Sequence, residues 1–175
     1  MGLFWKKKDK VSNANSFDDV IAWGIKNAQD EEARRYYEGL ADTEYQEDLK
    51  RFYDLITEIR ESYSVINAVG SFSEKPAERL IDRCAVAIAL DIELKEKREY
   101  YENHVFDMSE PAKTLAMVFE KRQEYENAAG ICALAIENGF TADGTNGGMR
   151  GRLARMIKKG KLSLTDEYKK ILNLE

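Results

Sequence analysis

Six basic side chains, Arg150, Arg152, Arg155, Lys158, Lys159 and Lys161, fall between residues 149 and 162, and that stretch carries no acid. The chemistry such a run serves is the neutralisation of phosphates. Arg152, Arg155 and Lys159 are three or four residues apart and so share one face of a helix, the footprint that nucleic-acid contacts need. Binding of a nucleic acid or other polyanion through residues 149–161, by Arg150, Arg152, Arg155, Lys158 and Lys159, is therefore one expectation. Its affinity would fall steeply with salt as counterions are released. Against it stand the overall charge of −5 and the lack of an aromatic platform between the bases. Residues 17–48, with ten acids and three bases, offer the same run an acidic alternative within one chain or between two.

Few other residue types invite chemistry. His104 is the only histidine, which excludes a paired-histidine metal site, and its charged surroundings suit a solvated or helix-capping role. Cys84 and Cys132 sit in apolar contexts without paired spacing, and Arg83 beside Cys84 is a weak cause for a reactive thiolate. The stretch DGTNGG at 143–148 lacks the alternating acids of a calcium loop. As a glycine loop entering a helix, with Arg150 and Arg152 beyond, it could hold a phosphate, although a plain helix connector is the commoner use. No phosphate-binding or dinucleotide fingerprint occurs. The reading is a protein that is not an enzyme and needs no metal or cofactor.

At 175 residues the chain is long enough for one domain with a sizeable core, and only two prolines interrupt it. Residues 1–15 read as a flexible basic tail and 16–175 as a single helical domain. Leu3, Phe4 and Trp5 beside three lysines suit brief contact with an anionic membrane surface, or tucking against the domain. The start has too short an apolar segment for a secretory signal, and Lys6 stands where a myristoylation motif needs Ser or Thr. No apolar run reaches the ~20 residues of a membrane span. With two unpaired cysteines in apolar settings, a cytoplasmic location is expected.

Helical periodicity runs through the rest. Ser16 and Asp19 form a capping box ahead of Phe17, Val20, Ile21 and Ile25, and Gly24 beside Trp23 points to a close contact or a bend. A second segment presents Tyr36, Tyr37 and Leu40. Thr43 and Gln46 read as a further capping box. From there Tyr45, Leu49, Phe52, Ile56, Ile59, Tyr63 and Ile66 recur every three or four residues, a single seam on a helix from 43 to 66. That seam can pack inside one molecule, the commoner outcome, or pair two copies as a homodimer. Gly70 breaks the helix and Pro76 suits the first turn of the next. Residues 84–94, CAVAIALDIEL, are apolar on nearly every side and belong in the middle of the fold. Asp91 there needs a buried partner, while Glu93 belongs at an edge. The charged run KEKREYYENH after it is expected near solvent. FTADGTNGG is a loop; a basic helix follows from Met149 and ends at Gly160, and Thr165 begins a last short helix.

Residues 111–139, PAKTLAMVFEKRQEYENAAGICALAIENG, read as two short helices with small residues where backbones must approach: Ala116, Ala128 and Ala135, flanked by Leu115, Phe119, Tyr125 and Cys132. Leu115-Ala116, Phe119, Tyr125, Ala128, Cys132 and Ala135 together resemble a tetratricopeptide repeat. The pattern departs at Ala112, Gln123 and Phe140, where a large residue, a glycine and a proline are usual, in the manner of a terminal or degenerate repeat. Pro76-Ala77 and Pro111-Ala112, 35 residues apart, with Leu80 and Leu115 in register, hint at a duplication. The resemblance implies an all-α fold of stacked antiparallel helical hairpins closed by a basic C-terminal capping helix. It further implies a groove faced by Lys113, Met117, Glu120 and Lys121 that takes a peptide or protein partner. An unrelated helical hairpin that merely needs small crossing residues is the alternative.

Overall fold

The computed structural model describes residues 16–103 and 106–173; His104 and the segment 1–15, with their expected roles, lie outside them. Eight helices make up the described chain: α1 (Phe17–Asn27), α2 (Glu31–Ala41), α3 (Thr43–Val69), α4 (Lys75–Glu102), α5 (Glu110–Lys121), α6 (Tyr125–Glu137), α7 (Gly148–Gly160) and α8 (Asp166–Leu172). The all-α expectation is met, and the described residues form no strand. An isolated parallel bridge joins Met108 to Ala142.

Local chemistry sets most boundaries. Ser16 and Asp19 exchange side-chain and backbone hydrogen bonds in a capping box at α1. Gly70, at φ 71°, is the left-handed residue that ends α3, and Thr165 accepts from the Tyr168 N–H at the start of α8. Two expected boundaries move. Asp42, not Thr43, caps α3: its carboxylate accepts from Tyr45 N–H while its own N–H donates to Glu38 O at the end of α2. Gly160 is the last helical residue of α7, and the left-handed cap is Lys161 at φ 51°.

The 43–66 seam is spent inside the molecule. Tyr45, Phe52, Ile56, Ile59 and Ile66 are buried, mainly against α4, and nothing supports pairing of two copies through them. α4 is one unbroken helix of 28 residues, the shared neighbour of α2, α3 and α5. As its apolar middle requires, Asp91 is buried and finds a partner, Arg98, at 2.8 Å, while Glu93 is exposed. Arg98 lies in the run expected near solvent. Instead it is buried, with its guanidinium 4.7 Å from the Phe52 ring centroid and 5.0 Å from that of Phe106.

Beyond α4 each helix packs on its sequence neighbour: α4 on α5, α5 on α6, α6 on α7, with α8 against both α6 and α7. Ala116 and Ala128 are fully buried and Ala135 is 3 % exposed, in one core with Leu115, Cys132, Phe140, Met149, Leu153 and Met156. Close approach recurs where a glycine of one helix meets a tyrosine of another. A Cβ at Gly24 would lie 2.3 Å from the Tyr37 ring, at Gly39 2.8 Å from Tyr101, and at Gly160 2.6 Å from Tyr125. Gly24 thus makes the close contact its position suggests.

Candidate functional site

The two residue sets singled out in the sequence, Lys113, Met117, Glu120 and Lys121 on α5 and the bases of α7, meet at Glu120. One of its carboxylate oxygens accepts from Lys159 Nζ at 2.8 Å and lies 3.6 Å from Arg155 Nε; the other accepts from Arg152 at 3.2 Å. The three bases that share a helical face therefore turn toward an acid of their own chain. Burial opposes ionisation of Glu120, but Lys159, Arg155 and Arg152 outweigh it and hold its carboxyl below the usual value.

Behind this contact sits Asp143, which the sequence did not mark as a site residue. It is fully buried. One oxygen accepts from Arg152 Nε at 2.9 Å; the other accepts from Thr145 N–H at 2.9 Å and from the Thr145 hydroxyl. Desolvation acts to raise its pKa, yet the Thr145 and Arg152 bonds leave it below the ordinary carboxylate value. The Asp-Gly-Thr order carries a signal for this, since an Asp side chain readily accepts from the backbone two residues on. That it also clamps Arg152 is a tertiary matter. Both oxygens of Asp143 are thus occupied, and no group of three or more potential metal-ligating His, Cys, Asp or Glu occurs among the described residues.

The glycine loop is a fastened connector. Ala142 N–H donates to Asp107 O at 2.7 Å, and Met149 N–H to Thr141 O at 2.8 Å. Gly147 (φ 88°) and Gly148 (φ 55°) adopt left-handed backbone, and a Cβ at Gly148 would lie 2.3 Å from Thr141 O, so the turn into α7 requires glycine. Thr141–Thr145, Gly147, Gly148 and Arg150 line an open cavity of about 390 Å³. Of the two arginines expected to attend a phosphate there, Arg150 reaches it and Arg152 turns away to Asp143 and Glu120.

α5 is covered by α3, α4 and α6, with Pro111, Ala112, Thr114, Leu115, Ala116 and Val118 buried. Lys113 and Met117 stay half-exposed and Lys121 is exposed, its ammonium 5.9 Å from the Phe72 ring centroid. Neither lysine has an ion-pair partner among the described residues.

The bases of α7 divide into two stripes. The inner one is Arg152, Arg155 and Lys159. The outer is Arg150 and Lys158, eight residues apart with Ala154 between them on the same face and all three exposed, followed by exposed Lys161 just past the helix end. No acid pairs with Arg150, Lys158 or Lys161 among the described residues; Arg150 donates to the Ile171 carbonyl at 3.1 Å. Both cysteines are buried, which pushes each thiol up to about 12, so at neutral pH they are protonated and poorly nucleophilic. No described helix is long and apolar enough to cross a membrane. Compared with known proteins, the chain matches no family model, no curated protein and no solved structure.

Proposed function

We propose that this chain is a non-catalytic protein-interaction module that takes a peptide or partner protein along the Lys113–Met117–Lys121 stripe of α5, with Glu120 as the fixed edge of that surface. The observation that carries the reading is the state of α5. Its other sides are buried against three helices, while this stripe keeps two lysines without ion pairs beside a half-exposed methionine. An accessible apolar side chain flanked by unpaired charges is a surface suited to a partner of mixed polar and apolar character. The likeness of residues 111–139 to a tetratricopeptide repeat supports the same stripe, and buried Ala116, Ala128 and Ala135 agree with closely apposed helices in that region. On this reading α7 acts as the basic cap of a helical array. Two buried free thiols suit a reducing, cytoplasmic setting.

The test compares immobilised wild type with the double variant K113E/K121E in capture from native cell extract, followed by mass spectrometry. A partner held by wild type and lost by the variant, at equal helicity by circular dichroism, is the expected result. Equal capture by both proteins removes the stripe as the site.

A further inference from the structure

The two charged ends of this molecule do not neutralise each other. α1 packs on α2, and α2 on α3 and α4, whereas α7 packs on α6 and α8, so the acidic and basic segments stand at opposite ends of the succession of helix contacts. None of the ion pairs among the described residues links them. At the acidic end Arg34 and Arg35 are tied to Glu31 and Glu38, while Asp18 and Glu32 are exposed with no basic partner among the described residues. Phe17 and Val20, 65 % and 37 % exposed, lie beside Asp18 on α1. At the basic end the outer stripe of α7 offers Arg150 and Lys158 on either side of exposed Ala154, with Lys161 following.

From this arrangement we propose that the outer stripe of α7 receives the acidic α1–α2 end of a second copy of this chain, head to tail. Charge complementarity selects the occupant. The net charge of −5 opposes a polyanion and a second copy alike; what favours the second copy is that its acids are concentrated in residues 17–48, where they can face Arg150 and Lys158. Phe17 and Val20 would settle on the small Ala154 and the aliphatic stems of those bases. The two surfaces are different, so the contact is heterologous: each added copy leaves one acidic and one basic end free, and assembly continues by addition. Exposed ion pairs are individually weak and screened by salt, so the association is weak and salt-dependent. It uses neither Lys113 nor Lys121 and stands apart from the α5 stripe.

The experiment is sedimentation of the full chain over a range of protein concentrations at ~10 mM and ~500 mM salt, where the Debye length falls from about 30 Å to under 8 Å. The weight-average mass is expected to rise with concentration above 20.1 kDa in low salt and to return to it in high salt. The variants R150E/K158E and D18K/E32K, all at exposed positions and checked for unchanged helicity, should each remain at single-chain mass. An equimolar mixture of the two should associate again, since the reversed ends then complement each other. Three results overturn the proposal: a constant single-chain mass for wild type in low salt, association that persists in R150E/K158E, or a wild-type chain that stays single while taking up labelled DNA in low salt.

Discussion

Arg98 and Asp91 form a deeply buried ion pair, and it is incompletely satisfied. Asp91 Oδ2 and Arg98 Nε and Nη2 are buried without a hydrogen-bond partner. Taking two charges out of water costs more than a single bond at 2.8 Å readily returns, even with two aromatic rings beside the guanidinium. R98M alone strands Asp91 and is expected to lose about 3–5 kcal/mol of stability in urea titration. The double variant D91L/R98M should recover most of that loss. A double variant no more stable than the single one would show that the pair does more for the fold than its geometry conveys.

At the scale of helices, contact is governed by what each glycine faces. Gly160 brings α7 onto α6, and a methyl there would meet Tyr125 Cβ at 2.6 Å and Leu162 at 3.0 Å. The Leu162 side-chain end can shift, but Tyr125 Cβ is fixed to the backbone of α6, so G160A is expected to cost about 1–3 kcal/mol through overpacking. Gly130, inside α6, faces open space. G130A should gain about 0.5–1 kcal/mol, because alanine loses less backbone entropy in a helix. Thermal unfolding of the two variants, shifting in opposite directions, checks both. Helix starts and stops such as Ser16, Gly70 and Thr165 are legible in the sequence because each is decided within one turn of its own chain. Asp42 is harder to read, since it ends α2 and starts α3 at once. The burial of Arg98 and the Asp143–Arg152 clamp were not legible: their partners are chosen by packing, and a charged run reads as solvent-facing until the rings that cover it are known. The meeting of Glu120 with the α7 bases was hidden for the same reason, across 32 and 39 residues of chain.

For the whole molecule, Glu120 and Asp143 join α5, the 141–148 connection and α7 by charge as well as by packing. Both carboxyls lie below their ordinary values of 4.5 and 3.8 when folded. A depressed folded pKa contributes stability that is complete above the unfolded value and is lost as the pH falls through the folded one. The urea midpoint of wild type should therefore decline on acidification below about pH 4.5, and that of E120Q/D143N, lower at neutral pH, should decline less over the same interval. Parallel curves for the two proteins would sink this assignment.

The bridge between Met108 and Ala142 has a bearing on how the chain can be altered. The link before α5 and the link before α7 are pinned side by side through Ala142 to Asp107, and the second link is closed onto the start of α7 through Met149 to Thr141. A cut or graft at 141–148 would therefore disturb two inter-helix joints together and release Arg152 from its buried carboxylate. A spectroscopic label belongs elsewhere, for example on a side chain introduced at Gly130 of α6, where an added Cβ meets nothing within 4 Å.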